Sequence, residues 1–171
     1  IPSVKMPTLT DWVAAVAVFI LGLGLIRWVV KPLLMKFAKS LDRRGHPIMS
    51  DITKSVFPSL RNALVFSLIV MSLSIILGVI LFDNTRTKKF IDSFYIYFGF
   101  RALYDVLGFY LKNPERFETG KDQDILTPFF LRISKVIVMV IAMFTIASLW
   151  NFNLNGFLTA IGLTGVALAF G

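Results

Sequence analysis

The chain has 171 residues, of which 56% are Ala, aliphatic, aromatic or Met and 16% are charged; it has no Cys, and its mean hydropathy is +0.75. With its 11 Gly the apolar share is roughly 62%, against about 45–50% for a soluble domain, more than a small soluble fold can hide, and the missing Cys and the hydrophobicity exclude a disulfide scaffold and a disordered chain. An integral membrane protein remains, and its net charge of +8 points to basic cytoplasmic loops rather than to nucleic acid.

A membrane core of about 30 Å needs about 20 apolar residues in helical form. Five runs meet or approach that length, which predicts an all-α membrane protein with five transmembrane helices. The first is Asp11–Val30, with Trp12 and Trp28 at its ends, where interfacial aromatics belong. Residues 1–31 form this outer span. Residues 32–60 form a cytoplasmic connector: Leu33, Leu34, Phe37 and Leu41 share one helical face and Lys36, Lys39 and Arg43 lie elsewhere, an amphipathic pattern for the inner headgroup layer. It reads either as a solvated connector or as a contact for anionic lipid. Arg43–Pro47 break it, and the lone His46 there reads as a surface residue.

The second run, Asn62–Phe82, is uncharged once it starts, and with its outer loop it fills residues 61–89. The third, Phe90–Leu111, carries nine aromatics together with Arg101 and Asp105. These two are four residues apart, so they can pair on one face. They read either as a local neutralising pair or as a tension-coupling or lipid-anchoring pair, since a mid-span charge usually faces protein or water. The fourth run is Ile133–Trp150, with Arg132 and Lys135 at its inner end as headgroup anchors or couplers, and the third and fourth together occupy residues 90–150. The fifth, Phe152–Gly171, has no charge.

The basic residues orient the chain. With the N-terminus outside, Lys31, Lys36, Lys39, Arg43, Arg44, Lys54, Arg61, Lys112, Arg116, Lys121 and Arg132 fall inside and Lys5, Arg86, Lys88 and Lys89 outside, eleven against four. The N-terminus is then outside and residue 171 faces the cytoplasm. Because residue 1 is Ile and Gly171 falls within an apolar run, the chain is expected to be the membrane part of a longer protein.

The last run has the densest pattern. Residues 156–171 hold Gly156, Gly162, Gly165 and Gly171, and Ala160, Ala167 and Ala169 add to them. Each Gly costs a helix roughly 1 kcal/mol relative to Ala, and in lipid small residues are how helices approach closely. At about 100° per residue, Thr159, Leu163, Val166 and Phe170 form one stripe. Gly162, Gly165 and Ala169 flank it on one side and Ala160, Ala167 and Gly171 on the other. Two small-residue flanks suit either packing between spans of one chain or a ring of like helices, and in a ring the stripe faces the axis, where apolar side chains form a dewetting constriction.

The stretch DILTPFFLRISKVIVMVIAMFTIASLWNFNLNGFLTAIGLTGVALAFG, from Asp124 to Gly171, resembles the small-conductance mechanosensitive channel (MscS) family: a basic-flanked span, a short Asn/Gly link at Asn151–Gly156 and a Gly/Ala-rich run. The resemblance implies a homo-oligomeric ring, a heptamer in that family, in a bacterial inner membrane. Residues 151–171 would begin the pore-lining helix and the soluble domain would lie beyond. Val166 and Phe170 match the family's sealing rings, Gly162 and Gly165 its packing glycines, and Ala169 replaces a third. Leu163 and Thr159 stand where the family prototype has small Ala residues. The prototype has three spans against five here, so the first two would be an outer addition. The implied function is a weakly selective channel opened by membrane tension, releasing ions and small osmolytes on hypo-osmotic shock, with membrane lipids as its other partner. No cofactor, metal cluster or enzyme chemistry is visible in the sequence. The rival readings are a secondary transporter with a midplane site at Arg101 and Asp105, and a structural anchor for an absent domain.

Overall fold

The computed structural model describes residues 6–78, 84–113 and 126–171, with side chains from 128 onward in the last segment. Lys5, Arg116, Lys121, Asp124 and the 79–82 end of the expected second span lie outside the described residues. Every regular element among them is helical. We label the helices α1 (Leu9–Arg43), α2 (Pro47–Leu77), α3 (Thr85–Lys112), α4 (Leu126–Leu149) and α5 (Leu154–Phe170). Each of α1 to α4 packs along its neighbour in the chain, whereas α5 touches α4 only near the turn that joins them.

Three of the five are long and apolar enough to cross a membrane: α1, α2 and the Pro128–Leu149 part of α4. The other two expected spans are helices but fall short of that standard. α3 carries Arg101, Asp105 and a basic start at Arg86, Lys88 and Lys89, and α5 has only 17 residues, about 25 Å at 1.5 Å per residue.

Helix α1 joins two segments that read separately in the sequence. The apolar span and the amphipathic stretch form one rod of 35 residues, interrupted by a π turn at Ile26–Val30. Pro32 accounts for its position. Proline lacks the N–H that would bond to the Trp28 carbonyl, and its ring crowds that carbonyl; a wider turn just upstream relieves the clash. The N-terminus is fixed by a capping box, in which the Thr8 backbone N–H donates to the Asp11 carboxylate at 2.9 Å.

The break between α1 and α2 is a Schellman turn. Gly45 sits at φ 79° and donates to the Asp42 carbonyl, and His46 donates to that of Leu41. Pro47 then starts α2, a position where its missing N–H costs nothing. The second expected span, Asn62–Phe82, therefore starts inside a helix that begins fifteen residues earlier, and that helix ends at Leu77, where Gly78 turns left-handed at φ 60°. Charges at Lys54 and Arg61 interrupt the apolar run without interrupting the helix.

α1 and α2 approach closely at Gly22, where any added side chain would run into Leu68. Nearby, the Ser72 hydroxyl donates to the Ala15 carbonyl at 3.2 Å, and Ala15 is buried. α2 and α3 meet through an aromatic cluster in which Phe66 contacts Phe94, Tyr95 and Phe98 at centroid distances of 4.8, 5.8 and 5.9 Å. Beside it the Ser67 hydroxyl donates to the Ala63 carbonyl, and the Tyr95 hydroxyl, 2.6 Å away, supplies its own proton to Ser67 Oγ. The aromatics of the third run thus form an internal seam. α3 and α4 are joined at one end by Trp150, whose Nε1–H donates to Ser93 Oγ at 3.0 Å and whose ring meets Phe90 edge-on at 4.7 Å.

A second Schellman turn ends α4. Asn151 lies at φ 57° and donates to Ser148 O, and Phe152 donates to Ala147 O. Asn153 then caps α5 by accepting the Gly156 N–H at 3.0 Å. Asn151 holds a left-handed conformation that costs other L-residues about 1–2 kcal/mol. Asn151→Ala should destabilise the protein by about 1 kcal/mol and Asn151→Gly should match or exceed the native stability, checked by thermal melts of the two variants in detergent.

Candidate pore helix and the polar cluster behind it

Helix α5 interleaves Leu and Ala with Gly and with β-branched and aromatic residues, is capped at Asn153 and is free of charge. Only its start touches the rest of the chain, where Phe157 meets Phe144 and Phe152 at centroid distances of 6.0 and 6.3 Å. From Asn155 onward every residue is exposed, including Thr159, Ala160, Ala167 and Ala169, with Leu163 at 67%, Val166 at 56% and Phe170 at 89%. The small-residue flanks are bare as well: apart from the adjoining backbone of α5 itself, nothing lies within 4 Å of where a methyl group on Gly162 or Gly165 would sit. Gly171 closes the helix, its N–H donating to Ala167 O at 2.9 Å. The Thr159 and Thr164 hydroxyls bond back to the carbonyls of Asn155 and Ala160, so they present methyl groups and satisfied oxygens. An uncharged apolar helix without intrachain cover is suited to lipid or to other copies of itself, not to water.

The residues singled out on α3 and α4 fall together. Arg101 Nε lies 3.2 Å from Asp105 Oδ1, the four-residue pairing expected from their spacing. Asp105 Oδ2 also accepts the Ser59 hydroxyl of α2 at 3.3 Å. On the other side, Lys135 Nζ of α4 sits 4.0 Å from the centroid of the Tyr104 ring, and the Arg101 guanidinium is 5.7 Å from the same ring. A cleft of about 410 Å3 opens beside them, lined by Arg101, Asp105, Lys112 and Lys135 among others. Lys135 thus points at α3, across the face where Gly108 leaves room for it. Arg132 remains exposed.

No pattern in the sequence marks Ser59 or Tyr104. Ser59 is 46 residues from Asp105, and only the packing of α2 on α3 brings them together. Tyr104 is one of nine aromatics in its run. Its place three residues after Arg101, on the side that α4 covers, becomes visible only with the helix register. Among the described residues no cluster of His, Cys, Asp or Glu could hold a metal ion.

A chain whose described elements are all helical, with three helices long and apolar enough to cross a membrane and a bare Gly/Ala-rich helix near its end, belongs to the class of membrane proteins. Comparison with known proteins narrows this. A family model described as "Mechanosensitive ion channel, transmembrane helices 2/3" matches residues 132–171, which hold α4 from Arg132 onward, the Asn151 turn and α5. An uncharacterized MscS family protein, YhdY of Bacillus subtilis (strain 168), is 36% identical over 58 residues, covering 34% of this chain and 15% of the relative. No solved structure matches. The chain therefore resembles the membrane portion of the MscS mechanosensitive channel family, most closely in residues 132–171, and it spans only a small part of the length of the relative it matches.

Proposed function

We propose that the chain is the membrane part of a tension-gated channel in which copies of α5 stand around a shared pore, sealed by Val166 and Phe170. The observation that carries this reading is the bareness of α5: 17 residues, uncharged, with two small-residue flanks and no buried residue. MscS family channels are homo-oligomers, and like copies docking flank to flank would cover the surfaces that one chain leaves open. The match of residues 132–171 to a model for transmembrane helices 2/3 of mechanosensitive ion channels supports reading α5 as the pore-side helix. The heptameric count, the weak selectivity, the release of osmolytes, the bacterial inner membrane and the periplasmic N-terminus belong to this proposal.

Tension favours whichever state occupies more membrane area, by the difference in its work on the two states. In our reading α3 and α4 tilt outward together, held by the Tyr104–Lys135 and Trp150–Ser93 contacts. The short turn at Asn151 passes that movement to α5. The apolar rings separate and wet, and ions pass. The stripe carries neither charge nor a carbonyl filter, so it discriminates weakly. α1 and α2 would be an outer addition and residues 32–60 an inner connector. Arg101 and Asp105 neutralise each other here, which favours a coupling or packing role over a transporter's midplane site. Excised-patch recording of the full-length protein under stepped suction tests the proposal: stretch-activated conductance supports it, and silence up to lytic tension in a correctly assembled protein contradicts it.

A further inference from the structure

Arg27, Lys31 and Arg61 line one cleft of about 420 Å3 between α1 and α2, whose remaining wall is Leu23, Ile26, Phe57 and Val65. Arg27 lies in the π turn and Lys31 one turn further on, so the turn helps bring both to the face that meets α2. Such turns often mark functional positions. The ion pair among the described residues is Arg101–Asp105, on another helix, and none of these three cations shares in it. All three side chains are exposed, while Ile26 beneath them is buried. Exposed Trp28 beside Arg27 marks the depth of a headgroup layer.

Cations at the mouth and an apolar floor together fit a molecule with a negative head and a hydrocarbon tail. We propose that this cleft binds one anionic phospholipid, its phosphate held by Arg27, Lys31 and Arg61 and the upper part of its acyl chain laid against Leu23, Phe57 and Val65. Arg27 and Arg61 present planar forks to the phosphate oxygens, and Lys31 adds a compact charge. A free phosphate would satisfy the cations but leave the apolar wall empty. A zwitterionic lipid would fill the wall but bring a positive group among the cations. The site is specific to the α1–α2 pair and independent of how α5 is arranged.

The test is native mass spectrometry of the full-length protein in detergent, titrated with phosphatidylglycerol, phosphatidylcholine or inorganic phosphate. The native protein should retain phosphatidylglycerol in preference to phosphatidylcholine, and millimolar phosphate should not displace it. Arg27→Gln combined with Arg61→Gln should weaken phosphatidylglycerol binding by about 30-fold, each charge near a membrane surface contributing about fivefold. Lys36→Gln combined with Lys39→Gln removes the same charge from exposed positions outside the cleft and should change binding less than threefold. The Arg27→Lys, Arg61→Lys protein keeps the charge and should retain most of the binding, which separates a lost site from a misfolded chain. The proposal is overturned if the glutamine pair binds as the native protein does, if the Lys36 and Lys39 changes weaken binding equally, or if phosphate displaces the lipid.

Discussion

In the proposed channel, Phe170→Ser should lower the threshold tension or leave the pore conducting at rest. Phe170 is the most exposed large apolar residue of α5, and in the proposed ring it meets its counterparts from neighbouring copies. Shielding a Phe side chain from water contributes about 1.5–3 kcal/mol, and the substitution removes most of that from every copy at once. It also places a hydroxyl where a dry constriction depends on having none. Both effects favour the wetted state. Patch recordings with an unchanged threshold and no resting leak would remove Phe170 from the gate.

The second large effect concerns Arg101 and Asp105. An ion pair on a water-exposed helix contributes about 0–1 kcal/mol, whereas a lone charge at the centre of a membrane helix costs about 2.5–3.5 kcal/mol. Asp105 is only 28% exposed on its side chain and already engages Ser59. Arg101→Gln, which leaves the carboxylate alone, should therefore cost about 3 kcal/mol of stability if α3 lies within the membrane, and Asp105→Asn about the same. The double variant should recover most of the loss, because two neutral side chains are cheaper there than one charge. A double-mutant cycle on thermal stability in lipid nanodiscs measures this. Additive changes below 1 kcal/mol would place α3 in water and leave the chain with fewer spans than proposed.

Much of this architecture is legible in the sequence because a lipid environment writes its demands in simple form. Apolar length marks α1, α2 and α4, and i, i+4 spacing gives the Arg101–Asp105 pair. Gly45 and Pro47 mark the break between α1 and α2. Helix boundaries were less legible, since apolar length measures how much of a helix can lie in lipid and not where the helix ends. α2 therefore begins at Pro47 although its apolar run starts near Asn62, and α1 carries straight into its amphipathic end through the π turn at Pro32. Contacts between distant residues left no mark at all. Ser59 reaches Asp105, Lys135 covers Tyr104, and Arg61 joins Arg27 only because neighbouring helices pack in one particular register. The stripe on α5 could be read as a periodicity, but what it faces depends on other copies of the chain.

This stretch of the protein contains no Cys, so single cysteines can be introduced along α5 and probed one at a time with a charged, thiol-reactive reagent while suction holds the patch open. Val166→Cys and Phe170→Cys should react and block current, and Leu168→Cys, on the opposite side of the helix, should not. Block at Leu168 with none at Val166 or Phe170 would turn the helix around and contradict the pore.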